Sequence, residues 1–313
     1  MSDKNRHYMK PLGVVLAFTI VVGEIRGASA QSVEAMPPRQ PSPLSVRQLH
    51  SGHSLTDTYV NAPWPGRLVL ATAVFAGREA AYRTVINDTI PGSSLGWRWN
   101  HASNTPNARE HIDRFELLVT TERVPLSLDR ATLKADTLDW LDRWVAHAAQ
   151  KGNAGKGAEV LLYSTWTNWR IPDGQSHNRK HPISFRQDLE NQEKSWELMQ
   201  DTANTNRPSG MPLIYMIPGH RLMMRIYDDI KSGTAPGLAN IGDVFNDDIH
   251  LNNLGQYAIT CLVYAVIYHR NPSELPTRLA VPEDKLTREQ ADYFKAAAWN
   301  VAKSYPRSGV PPR

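Results

Sequence analysis

The sequence predicts an α/β fold: a central parallel sheet covered by helices on both faces, and so three layers. Continuous apolar runs of strand length, such as Phe115 to Thr121 (FELLVTT) and Glu159 to Thr165 (EVLLYST), alternate with stretches whose apolar residues recur at helical spacing. Strands that are apolar throughout are buried on both faces, which is how parallel sheets with flanking helices read. No change in composition divides the body of the chain, and no repeat is present.

Taken in order, Leu44 to Leu49 (LSVRQL) is a short strand candidate that ends at His50-Ser51-Gly52. An aromatic loop over Tyr59 to Pro65 leads into a helix over about Gly66 to Tyr82, with Leu68, Ala71 and Phe75 at helical spacing. Thr84-Val85-Ile86 is a brief β segment before the Gly- and Trp-rich stretch from Pro91 to Trp99. After the FELLVTT strand, a helix over about Leu133 to Gln150 puts Leu138, Leu141, Val145 and Ala148 on one stripe, and Gly152 to Gly157 ends it. EVLLYST follows, then a polar loop over 170 to 183 and a helix over about 184 to 203. Pro212 to Ile217 (PLIYMI) is a strand stopped by Pro218-Gly219, with a helix from His220 to about Lys231. A long apolar helix, Leu254 to Tyr268, and an outer helix over about Thr287 to Lys303 precede a Pro-rich tail.

At the N-terminus, Lys4, Arg6 and Lys10 form a positive head and Pro11 to Gly23 an apolar run, with Ala28-Ser29-Ala30 as a small-residue cleavage site. The run is shorter than the ~20 apolar residues of a spanning helix. It reads as an export signal, with an uncleaved anchor as the alternative, and implies a secreted or periplasmic protein. The chain then divides into a signal peptide (1–30), a flexible Pro-rich leader (31–43), one domain (44–305) and a tail (306–313). The formal charge is +4, and the signal holds four basic and two acidic residues, which leaves about +2 for the rest. With no Lys/Arg run, the chain offers nothing that suits a nucleic-acid backbone. Cys261, the lone cysteine, lies in the apolar helix and reads as a core residue. No GxGxxG or Walker pattern points to a nucleotide cofactor, and His177 and His181 in one loop, without HExxH or clustered Cys, make no metal signature.

The chemistry concentrates in two segments, Gly52-His53-Ser54-Leu55-Thr56-Asp57 and Asp247-Asp248-Ile249-His250-Leu251-Asn252. A serine nucleophile needs a neutral imidazole to take its proton and an acid to orient that imidazole. Ser54, His250 and Asp247 supply these three types, with Asp248 as second choice for the acid. Each segment also has a plainer reading: a turn with a serine helix cap, and an acidic turn with a surface histidine. Ser54, Gly92, Glu122 and Trp166 all follow strand-like segments and His250 precedes a helix, so they can share the rim at the carboxyl ends of the strands, where ligands bind in such sheets.

The Gly-His-Ser-Leu block and the Asp-x-x-His block, continued as His-Leu-Asn-x-Leu-Gly-x-Tyr, resemble those of the SGNH (GDSL-like) hydrolases, with His53 in place of the usual Asp. The resemblance covers about 44 to 270 and implies a three-layer α/β/α flavodoxin-like fold and a serine esterase. It assigns Ser54 as nucleophile, His250 as general base, Asp247 as its orienting acid, and the N–H groups of Ser54 and Gly92 as oxyanion donors, with Gly96 a weaker candidate for the second. The family's oxyanion asparagine is missing: Thr121-Glu122-Arg123 stands there. A carboxylate cannot donate unless protonated, which leaves three readings. Asn100, His101 or Asn168 supplies the donor; Glu122 binds substrate hydroxyls or pairs with Arg98 or Arg123; or the site is weak or inactive. Trp97, Trp99, Trp166 and Trp169 near the rim suit stacking on sugar rings, or are packing residues. We thus expect an exported esterase acting on a small-molecule or carbohydrate ester, with Glu122, Trp97 and Trp166 as substrate contacts and no cofactor. An O-acetyltransferase and a non-catalytic carbohydrate-binding protein on the same fold are the rival expectations.

Overall fold

In the computed structural model, which describes residues 36–60, 85–101, 107–170, 183–277 and 285–312, five strands form the sheet. They are β1 (Gln48–Gly52), β2 (Val85–Thr89), β3 (Leu117–Thr120), β4 (Glu159–Ser164) and β5 (Tyr215–Pro218). Their spatial order is β2-β1-β3-β4-β5, and every neighbouring pair is parallel. That is the flavodoxin-like order, in which the chain reverses direction across the sheet between β1 and β3. The signal region, the helix expected over 66–82, and His177 and His181 lie outside the described residues.

Successive strand residues point to opposite faces, and the core divides accordingly. Leu117, Val119, Leu161, Tyr163 and Ile217 face one layer; Leu49, Leu118, Val160, Leu162 and Met216 face the other. The first layer holds helices α1 (Ser54–Val60), α7 (Gly219–Lys231), α8 (Asn253–Tyr268) and α9 (Arg288–Ser304). The second holds α2 (Leu95–Asn100), α5 (Asp139–Gly155) and α6 (Phe185–Asn206), while α3 (Ala108–His111) and α4 (Arg130–Leu133) are single turns. Helix α8 is buried from Gly255 to Tyr268 because α9 covers the side that does not face the sheet, as its unbroken apolar sequence requires.

The first strand lies later than its apolar pattern predicts, because polar side chains inside it are satisfied rather than exposed. The amide of Gln48 donates to the Tyr268 hydroxyl (2.5 Å), and the His50 ring lies between Tyr59 and Gln48. The segment from Met36 to Pro43 is not a loose leader. Arg39 is buried in an ion pair with Glu159 (2.5 Å) and donates to the carbonyls of Val266 and Ile267 at the end of α8. The tail also docks, with Arg307 on Asp201 (2.6 Å), and the Arg39 N–H meets the Gly309 carbonyl (2.9 Å). Between α4 and α5 the chain makes one π-helical turn, Lys134–Leu138, where a simple continuation of helix was expected.

Candidate active site

Ser54 is the first residue of α1, two residues beyond the end of β1. Helix α1 starts so close to the strand that a Cβ on Gly52 would lie 2.0 Å from the Thr56 hydroxyl, so only glycine fits there. Between them, the buried ring of His53 accepts from the Leu55 N–H at Nδ1 (3.3 Å), which leaves Nε2 to donate to the Glu122 carbonyl (3.0 Å). Burial first, and then the charge of Arg98, pull the His53 pKa down to about 4 against the bond to Glu122, so the ring is neutral at neutral pH. It joins the turn that carries Ser54 to the segment just after β3.

His250 reaches the same place from the far end of the chain. Its Nε2 lies 2.9 Å from Ser54 Oγ, and its Nδ1 lies 2.7 Å from Asp247 Oδ2. A carboxylate only accepts, so it holds the proton on Nδ1 and leaves Nε2 as an acceptor facing the serine hydroxyl. The other oxygen of Asp247 accepts the N–H groups of Ile249 (2.8 Å) and His250 (2.7 Å), which fixes the three-residue spacing. Partial burial pushes the Asp247 pKa up, but these two N–H groups and the imidazole outweigh it and hold the carboxyl at about 2. Asp248 points away, toward Arg170 (3.7 Å).

The residues that follow His250 explain themselves physically. Asn246 and the His250 carbonyl close a tight loop (2.8 Å), and Leu251 is buried. Asn252 caps α8 by accepting from Leu254 and Gly255, while its amide holds the Asp243 carbonyl (2.7 Å). Gly255 is required because a Cβ would lie 2.5 Å from the Val244 carbonyl.

Trp166 does not face a ligand. Its side chain is wholly buried, packs edge-on against Phe245, and donates from Nε1 to the Ile249 carbonyl (2.8 Å). The expectation that it contacts substrate is therefore corrected: no face is free to stack on a sugar. Trp169 works beside it, with Nε1 donating to the Asp247 carbonyl (2.7 Å) and its backbone N–H to the Asp248 carbonyl (2.9 Å). Three consecutive carbonyls, 247 to 249, are thus held by the segment after β4. The two tryptophans were legible as rim residues, but nothing in the sequence signalled that they face the loop rather than solvent.

Gly92 lies in an exposed turn after β2 with φ at +69°, and the hydroxyl of the next residue, Ser93, reaches the Gly52 carbonyl (3.4 Å). Gly96 lies buried inside α2. Asn100 gives its amide to the Gly96 carbonyl, His101 stacks on Trp97, and Asn168 is half-buried after β4. Glu122 is buried, and its carboxyl accepts the N–H of Arg123 (2.6 Å) and of Leu95 (3.3 Å). Burial raises its pKa, and the Arg98 charge and those N–H groups oppose the rise. Arg98 itself, a contributor that sequence reasoning weighed only as a partner for Glu122, is fully buried; burial lowers its pKa to about 10 despite the carboxylates of Glu122 and Asp88. Its guanidinium bonds Ser51, Ser93 and the Thr121 carbonyl, which pins the ends of β1 and β3 to the turn after β2. Among the described residues no group of His, Cys, Asp and Glu is placed to hold a metal, and no helix is long and apolar enough to cross a membrane.

No protein-family model matches the chain, and no curated protein matches it. The chain is similar to a crystal structure described as a GDSL-like lipase from Parabacteroides merdae ATCC 43184, with 13% identity, a TM-score of 0.45, and coverage of 85% of this chain and 100% of that one.

Proposed function

We propose that the protein is an exported serine esterase of the SGNH type, which hydrolyses small carboxylic esters, acetyl esters above all, carried by small molecules or carbohydrate. The observation that carries this reading is the relay Ser54 Oγ, His250 Nε2, His250 Nδ1, Asp247 Oδ2, with links of 2.9 and 2.7 Å. Export rests on the N-terminal signal pattern.

In the first half-reaction Ser54 Oγ bonds to the ester carbonyl carbon while its proton passes to His250 Nε2. Asp247, ionised at neutral pH, stabilises the imidazolium. The N–H groups of Ser54 and Gly92 are the oxyanion donors in this reading. When the tetrahedral carbon expels the alcohol, the C–O bond breaks and His250 returns the proton to the leaving oxygen. Water then adds to the acyl-serine with His250 as base, releasing the acid and restoring the Ser54 hydroxyl.

Hydrolysis of p-nitrophenyl acetate by the purified protein tests the reading. We expect turnover in wild type and a loss of at least ~10³-fold in Ser54→Ala and in His250→Ala. Equal rates in wild type and Ser54→Ala would refute it.

A further inference from the structure

At the end of β4, a second serine, histidine and carboxylate stand in line. Ser164 Oγ lies 2.6 Å from His220 Nδ1, and His220 Nε2 lies 2.9 Å from Glu193 Oε2. We propose that these three form a positioning relay, which holds the segment after β4 and, through it, the loop that carries Asp247 and His250. The proposal rests on the serine-esterase reading and adds to it what keeps the general base in place.

Burial decides against a second catalytic centre. Ser164 and His220 are both 0% exposed, so no substrate carbonyl reaches the hydroxyl. Only the Glu193 end approaches the surface, where its carboxyl also accepts from Arg221 (2.6 Å). Burial raises the Glu193 pKa, but the bonds to His220 and Arg221 outweigh it and hold the carboxyl below its usual range. An ionised carboxylate only accepts, so it keeps the ring proton on Nε2. Burial lowers the His220 pKa against the pull of Glu193, which leaves the ring neutral and Nδ1 an acceptor. The Ser164 hydroxyl is then the donor in the 2.6 Å link, and it also lies 3.1 Å from the Ile217 carbonyl of β5.

The relay bears on one point of the backbone. Ser164 is the last residue of β4, and a Cβ on Gly219 would lie 2.5 Å from its carbonyl. Helix α7 therefore starts pressed against the end of β4, with His220 as its second residue. Three residues beyond Ser164, Thr167 donates to Asp188 Oδ2 (2.6 Å), on the same helix α6 as Glu193. Ser164 and Thr167 thus fix a stretch of chain whose Trp166 and Trp169 hold the carbonyls of residues 247 to 249. Only Thr165 separates Ser164 from Trp166, and all three are buried, so a shift at the hydroxyl passes to the indole. Catalytic groups lose rate steeply when they are misplaced by even about 1 Å. A hold on the histidine loop is therefore a hold on turnover.

The test measures p-nitrophenyl acetate hydrolysis and the thermal midpoint in wild type, Ser164→Ala, Glu193→Gln, Trp169→Phe and the Glu193→Gln/Trp169→Phe double variant. Ser164→Ala and Glu193→Gln should each lower kcat by about 5-fold with KM unchanged, the worth of one ordinary hydrogen bond. Because Glu193 and Trp169 act through one segment, the double variant should fall little further than the slower of its two parents. A lowered thermal midpoint with kcat unchanged makes the relay a core support alone and overturns the proposal. So does a double variant whose loss is the product of the two single losses. Amide hydrogen exchange followed by NMR reads the relay without the reaction. In Glu193→Gln the N–H groups of Ile249 and His250, which Asp247 Oδ1 accepts, should exchange about 5-fold faster than in wild type, with α8 unchanged. That result supports the relay even if Ser54→Ala matches wild type and the esterase reading fails, whereas equal exchange at 249 and 250 overturns it.

Discussion

Asp247 does two jobs with two oxygens: Oδ1 holds the N–H groups that shape the loop and Oδ2 holds the His250 ring. Asp247→Asn separates them, because an amide oxygen can keep the loop while its NH₂ faces Nδ1 and imposes the wrong tautomer. We expect kcat on p-nitrophenyl acetate to fall by about 10³–10⁴ with the thermal midpoint little changed. The ionised state of Asp247 lasts down to about pH 2, so its share of stability is present above the unfolded carboxyl pKa and is lost as pH falls from there through about 2. At this scale the sequence was most readable, since Ser54, His250 and Asp247 sit in segments where local spacing and helix capping set their positions. Trp166 was misread for an equally local reason. A tryptophan just after a strand looks the same in sequence whether it faces solvent or a loop from eighty residues away.

The segment after β4 and the loop before α8 act as one unit. Indole and backbone N–H groups of Trp166 and Trp169 hold the carbonyls of residues 247 to 249, while Asp247 and His250 themselves stay open to solvent. Trp169→Phe keeps the stack on Phe245 and removes one donor. A hydrogen bond of about 1 kcal/mol that acts on the histidine loop should appear as a severalfold fall in kcat with KM unchanged, measured on p-nitrophenyl acetate. Strands β3, β4 and β5 were legible because buried apolar runs have few other uses. Strand β1 was legible but is expected too early, because Gln48, His50 and Ser51 are polar residues paired inside the sheet, and only the finished fold supplies Tyr268, Tyr59 and Arg98 as partners. Helices α1 and α2 were hidden by short length, and by glycine and aromatic residues that resemble loop chemistry.

Among the described residues, His50, His53 and His220 are buried and resist protonation, and the half-buried His269, lowered to about 4 by burial and by the Arg39 charge, does so too. Burial lowers the pKa of His50 to about 3 and that of His53 to about 4, and depresses that of His220 against the pull of Glu193. The unfolded chain binds protons at these sites from about pH 6.5 downward while the folded chain does not, so stability rises with pH in that range. Urea unfolding should show stability falling as pH drops from about 6.5 to 5, with a slope of up to ~1.4 kcal/mol per pH unit for each histidine; His50→Gln should flatten it by about one residue's share. The separation of 196 residues between the partners Ser54 and His250 has a bearing on when chemistry can begin. A chain emerging from the ribosome carries its serine early, but His250, the base in the proposed mechanism, arrives only after the last of the five strands has been made. Any fragment that stops before residue 250 has a hydroxyl and no proton acceptor for it. Synthesis is therefore a silent interval under the proposed mechanism, and the appearance of esterase activity in a translation time course would mark the closing of nearly the entire fold.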